Sequence, residues 1–96
     1  MKFKITKYDI LNGKQGSVSG CPIARSIKRT FKAKGVDMRR VSVEVSGVEL
    51  YVTKVDKHGE TKPIIEAFMP DKGTDFVSKF DSGKVVKPFT LVVSTR

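Results

Sequence analysis

The row Arg25, Lys28, Arg29 and Lys32 is the strongest chemical signal in this sequence. Offsets of three, four and seven place all four cations on one side of an α-helix. Lys34, Arg39 and Arg40 follow closely. Cations at this density can pair with several phosphates of a nucleic acid, or with the carboxylates of an acidic protein surface. The stretch holds no Asn or Gln for base contacts, and nothing in it matches a helix-turn-helix. The pattern therefore predicts backbone contact with little sequence readout. A solvated helix face without a ligand is the competing reading.

Three further residues sit just upstream. Lys14, Ser17 and Ser19 lie in the glycine-rich stretch between Gly13 and Gly20, ahead of a helix start where free N–H groups favour anions. They are candidate anion contacts, although the spacing is not that of a Walker A loop, and a plain connection reads as well. Cys21 follows. A thiol at a helix N-terminus can be reactive, but catalysis would also want a base, and the single histidine, His58, falls in an expected turn. One Cys and one His cannot build a structural zinc site. Asp71, Asp75 and Asp81 read as helix and turn charges. The sequence thus predicts no catalytic residue, no metal and no cofactor.

The elements that must carry these residues are legible in outline. Lys2 to Ile5 alternates and reads as a short strand. Thr6-Lys7-Tyr8-Asp9 has the form of a capping box, opening a helix of one or two turns that stops at Asn12-Gly13. Pro22 suits a first helical position, with Ser19, Gly20 or Cys21 as cap. Ile23, Ile27 and Phe31 recur at four-residue spacing with Ala24 beside them, so a helix over 22–34 turns its apolar side inward and its basic side outward.

From Val41 the period becomes two. Val41, Val43 and Val45 alternate with polar residues, and beyond Ser46-Gly47 the apolar set is Val48, Leu50 and Val52. That parity flip predicts a two-residue hairpin loop, pairing Val45 with Val48, Val43 with Leu50 and Val41 with Val52. A second hairpin at His58-Gly59 pairs Val52 with Ile65 and Leu50 with Ala67. Pro63 puts the third strand at an edge. The outer face of this sheet then carries Glu44, Glu49, Tyr51, Thr53, Ile64, Glu66 and Phe68, with Glu44 opposite Glu49. Tyr51, Ile64 and Phe68 there are either covered by the last helix or form a homodimer surface. A short helix from Thr74 to Ser82 presents Phe76, Val77 and Phe80, and a last strand runs from Phe89 to Ser94. Strands and helices in this order predict a single α+β domain over 1–96: a small antiparallel sheet of two consecutive hairpins plus terminal strands, packed with one main helix and a short C-terminal one.

Composition narrows the setting. Apolar residues at 39% and charged residues at 30% fit neither a disordered nor a membrane-embedded chain. No apolar run approaches the roughly 20 residues of a bilayer span. The first residues lack the apolar stretch of a signal peptide, and a lone cysteine fits a reducing cytoplasm better than secretion. The formal charge of +9 is unevenly spread. Residues 1–20 carry four lysines against Asp9, residues 21–40 seven cations against Asp37, and residues 41–96 eight of each sign. The whole excess lies in the first 40 residues.

Two segments resemble small proteins encoded by bacteriophages and prophages. One runs from Ile5-Thr6 through Asp9-Ile10 and Gly13 to Cys21-Pro22-Ile23-Ala24-Arg25-Ser26-Ile27-Lys28-Arg29; its Cys-Pro-Ile-Ala helix start is the more specific part. The other is Phe76-Val77-Ser78-Lys79-Phe80-Asp81-Ser82-Gly83-Lys84, then Val86, Pro88 and Phe89. Together they touch about half the chain. The resemblance implies a bacterial host cytoplasm, and an action through binding host machinery or nucleic acid. The expected function is non-enzymatic binding of nucleic-acid phosphates through the basic face of helix 22–34. The alternative is an inhibitor or adaptor engaging a host or phage protein with an acidic surface.

Overall fold

The computed structural model describes residues 1–94. β1 (Lys2–Ile5) points Phe3 and Ile5 inward, both fully buried. α1 (Lys7–Asn12) starts at the expected capping box: Thr6 Oγ1 accepts from the Asp9 amide at 3.3 Å, and Asp9 Oδ2 accepts from the Thr6 amide at 2.8 Å. α2 (Pro22–Ala33) opens on Pro22, and Cys21 is the cap, its Sγ accepting from the Ala24 amide at 3.5 Å. Ile23, Ala24, Ile27 and Phe31 are buried along its inner side, as their spacing predicts. Gly35, at φ +85°, ends the helix in the left-handed region. A 3₁₀ turn, Met38–Arg40, leads into the hairpins β2 (Val41–Val45), β3 (Glu49–Val55) and β4 (Thr61–Phe68). α3 (Asp71–Asp81) and β5 (Phe89–Val92) complete the chain, α3 starting three residues before the expected Thr74.

The fold is α+β, with two antiparallel sheets. β2, β3 and β4 form one in that order. The terminal strands pair with each other as a second, Phe3 facing Leu91 and Ile5 facing Phe89. α2 lies against both β1 and β2, and its inner side joins the two sheets into one buried cluster. Ser26, fully buried on that helix, donates its hydroxyl to the Lys4 carbonyl at 2.6 Å and so ties α2 to β1.

The first hairpin corrects the expected register. Val45 faces Leu50, Val43 faces Val52 and Val41 faces Lys54, two places from the predicted pairing. The cause is Ser46. Its amide donates to the Glu49 carbonyl at 2.9 Å, and its hydroxyl oxygen accepts from the amides of Val48 and Glu49. The turn therefore centres on Gly47-Val48, and Val48 becomes an exposed tip. A slip of two keeps the parity, so the buried face survives. Glu44 consequently faces Tyr51, and Glu49 faces Phe68; the two glutamates are not opposed.

In the second hairpin the pairs Val52–Ile65 and Leu50–Ala67 hold. The loop itself is longer than two residues. Asp56 Oδ1 accepts from the amides of His58 and Glu60, and the Asp56 amide donates to the Glu60 carbonyl, enclosing Lys57-His58-Gly59. The extra residue is absorbed by a bulge: Val52 pairs Ile65 and Thr53 pairs Pro63, which leaves Ile64 without a cross-strand partner. β4 is an edge strand, as Pro63 requires.

α3 does not cover the outer face of this sheet. Its Phe76 packs on Phe89, ring centroids 5.0 Å apart, and Phe80 stacks on Phe76. Phe68 stays 62% exposed, with Tyr51 and Ile64 also at the surface.

Candidate functional site

The basic side of α2 forms one wall of a cleft of about 420 Å³. Arg25, Lys28, Arg29 and Lys32 line it from the helix, Lys14, Ser19 and Gly20 from the preceding loop, and Asp9 and Asn12 from α1. Two separate stretches of chain thus bring five cations around one carboxylate. Ser17 does not line it; its hydroxyl oxygen accepts from the Gly20 amide at 2.9 Å and shapes the loop. Lys28 Nζ donates to the Ser19 carbonyl at 2.6 Å, and the Lys14 amide donates to the Gly20 carbonyl at 2.9 Å. These two bonds hold the loop against the helix and keep Lys14 beside Lys28.

Asp9 organises the floor. Its side chain is 1% exposed. Arg29 Nη1 donates a short hydrogen bond to Oδ1, while Arg29 Nη2 donates to the Lys4 carbonyl at 2.7 Å. Arg25 Nε is buried, 3.9 Å from the same Oδ1, with no hydrogen-bond partner among the described residues. Burial is the largest influence on the Asp9 carboxyl and pushes its pKa up. The hydrogen bonds from Arg29 and from the Thr6 amide and hydroxyl, with the Arg29 charge, together outweigh it and hold the pKa below its ordinary value. Arg29 is therefore a structural cation as much as an exposed one. Lys14, Lys28 and Lys32 carry positive charge at the cleft without a carboxylate partner among the described ion pairs.

The other three cations of the expected set lie elsewhere. Lys34 caps the end of α2, outside the cleft lining. Arg39 forks onto Asp37, Nε to Oδ1 and Nη2 to Oδ2, each at 3.0 Å. Arg39 and Arg40 line a different depression, with Val41, Ser42, Thr53 and Asp56. The turn at Gly35 separates these residues from the helix row. Asp9 and Asn12 are cleft residues that charge patterning alone does not single out, although the capping box already fixes where the Asp9 carboxylate must point.

Cys21 is buried at 5% exposure, and burial pushes its thiol pKa up, which disfavours the thiolate. His58 sits in the β3–β4 turn. Asp75 pairs with Lys79 at 3.0 Å, and Asp81 accepts from the Gly16 amide at 3.0 Å. Among the described residues no group of three or more His, Cys, Asp and Glu is placed to hold a metal ion, and no helix is long and apolar enough to cross a membrane. On the outer sheet face Tyr51 lies between Glu44 on β2 and Glu66 on β4, so its surroundings repel phosphate.

No family model, curated protein or solved structure matches this chain.

Proposed function

We propose that the cleft binds the phosphates of nucleic acid, with Lys14, Lys28 and Lys32 as the principal contacts and Arg25 and Arg29 behind them. The observation that carries this reading is the convergence of five cations from a loop and a helix on one cleft whose single carboxylate is already paired with Arg29. The Asp9–Arg29 pair lets the site be rigid without losing its sign. Non-enzymatic action, a bacteriophage or prophage origin and a cytoplasmic setting belong to the same reading.

Salt titration tests it. With about four phosphate contacts, affinity for duplex DNA falls on the order of 100-fold between 50 and 200 mM salt. Reversing Lys14, Lys28 and Lys32 to Glu abolishes binding in a gel shift at low salt, while thermal melting verifies that the variant is folded. Arg29 is left intact in that variant because of its bond to Asp9. Unchanged affinity after the triple reversal removes the proposal. An acidic protein surface is the alternative ligand for the same cleft. A single stoichiometric protein partner, with no retention on nucleic acid at low salt, would select it.

A second reading concerns the outer sheet face, favoured by the exposure of Phe68, Ile64 and Tyr51. Buried against a second copy, these residues would stabilise a homodimer. Light scattering across a concentration series should then give twice the chain mass, and Phe68→Asp should return it to one; a constant single-chain mass for the unaltered protein ends this reading.

A further inference from the structure

We infer that the cleft takes single-stranded nucleic acid in preference to duplex, with Tyr8 as a stacking platform for an unpaired base beside the phosphate contacts. The inference rests on the phosphate-binding reading above and names its ligand class.

Tyr8 is 71% exposed, although it belongs to a helix packed against α2. It makes no ring–ring contact among the described residues. Its place on α1 is specific. Asp9 and Asn12 line the cleft, and Tyr8 stands one turn before Asn12, about 40° around the helix axis from it. Asn12 Nδ2 donates to the Tyr8 carbonyl at 2.9 Å, which binds that turn together. The phenol ring lies on the exposed side of α1, next to Asn12 on the helix surface and about 100° around the axis from Asp9, just outside the cleft lining itself.

An exposed aromatic ring beside a row of phosphate contacts suits a strand whose bases are free to turn outward. In a duplex the base faces are already stacked on their neighbours, and only the edges are offered in the grooves. The ring gains nothing there, so duplex binding rests on the cations alone. The other exposed aromatics offer no rival platform: Tyr51 lies between Glu44 and Glu66, and Phe68 lies opposite Glu49. A stacking ring needs phosphate-binding cations nearby, and of these three exposed aromatics Tyr8 is the one carried by an element that lines the cleft.

The chain has two tyrosines and no tryptophan, so in a Tyr51→Phe background its intrinsic emission comes from Tyr8 alone. Labelled oligo(dT) and a duplex of equal length, titrated at low salt by anisotropy and by tyrosine emission, provide the test. The expected results are tighter binding of oligo(dT), quenching of Tyr8 by oligo(dT) and not by duplex, and loss of about tenfold in oligo(dT) affinity in Tyr8→Ala. Tyr8→Phe retains the affinity, and duplex binding is the same in all three proteins. Equal affinity for the two ligands, absent quenching, or an oligo(dT) affinity untouched by Tyr8→Ala overturns the inference. If the triple lysine reversal still abolishes binding in that case, the phosphate site stands and only the strand preference falls. If neither ligand binds the unaltered protein, both fall together.

Discussion

Asp9→Ala lowers the melting temperature by about 10–20 °C. Breaking one side of a buried ion pair costs roughly 3–5 kcal/mol. Arg29 is 47% exposed and can rehydrate, so a cost of about 2–3 kcal/mol is expected, at about 4–8 °C per kcal/mol for a domain of this size. Part of the cost is local, since the Thr6 amide loses its capping acceptor. Part is tertiary, since Arg29 then holds only the Lys4 carbonyl. The same carboxylate makes stability depend on acid. Its folded pKa lies below the unfolded value, so its contribution is complete above about pH 4 and is lost as pH falls through the folded pKa. Asp37 and Asp56 are shifted in the same direction, Asp37 chiefly by Arg39 and Asp56 chiefly by the Glu60 amide. Urea unfolding between pH 7 and pH 2 should show the decline, with a shallower one in Asp9→Asn. An Asp9→Asn profile parallel to that of the unaltered protein would remove Asp9 from this account.

Gly13→Ala is expected to cost about 2–3 kcal/mol, although the backbone there is ordinary. Gly13 has φ −73° and ψ 153°, which alanine adopts freely, and at such a site the exchange usually stabilises by about 0.4–1 kcal/mol. Here the sign reverses for a steric reason. A β-carbon would lie 2.6 Å from both Cδ and Cγ of Pro22 and 2.8 Å from the Asp9 carbonyl oxygen. A proline ring at the first position of α2 and a helix carbonyl cannot swing aside as a flexible side chain can. The end of α1 would have to lift from the start of α2, taking Asp9 and Asn12 with it, so phosphate binding should weaken as the protein loses stability. Gly47→Ala is the control. No atom lies within 4 Å of its β-carbon position, and its effect on the melting temperature should be close to zero. Equal effects of the two substitutions would refute the steric account.

Features set by neighbouring residues were readable before folding. The capping box, the proline start of α2, its four-residue apolar recurrence and the edge position of Pro63 all act within a few residues of themselves. The hairpin register was not readable, because periodicity cannot say that the Ser46 hydroxyl would bond two amides and move the turn by one residue along the chain. The bulge at Ile64 arises in the same way from the Asp56 side chain enlarging its turn. Pairing of β1 with β5 joins opposite ends of the chain and carries no local signal at all. At the cleft, the cation row on α2 was evident. Its meeting with Lys14 depends on Lys28 reaching the Ser19 carbonyl, and the structural role of Arg29 depends on Asp9 lying across from it. Those are contacts between elements, and charge counting does not reach them. Arg39 dropped out for a similar reason, its fork onto Asp37 being a conformational outcome rather than a compositional one.

The free margin of β4 has a consequence for behaviour at high concentration. Pro63 offers no N–H to an incoming chain, and the kink at Ile64 breaks the straight ladder that a second backbone would need for docking. Strand-by-strand growth into fibrils is therefore hindered along that side, which leaves β2 as the margin of this sheet where an incoming strand could add.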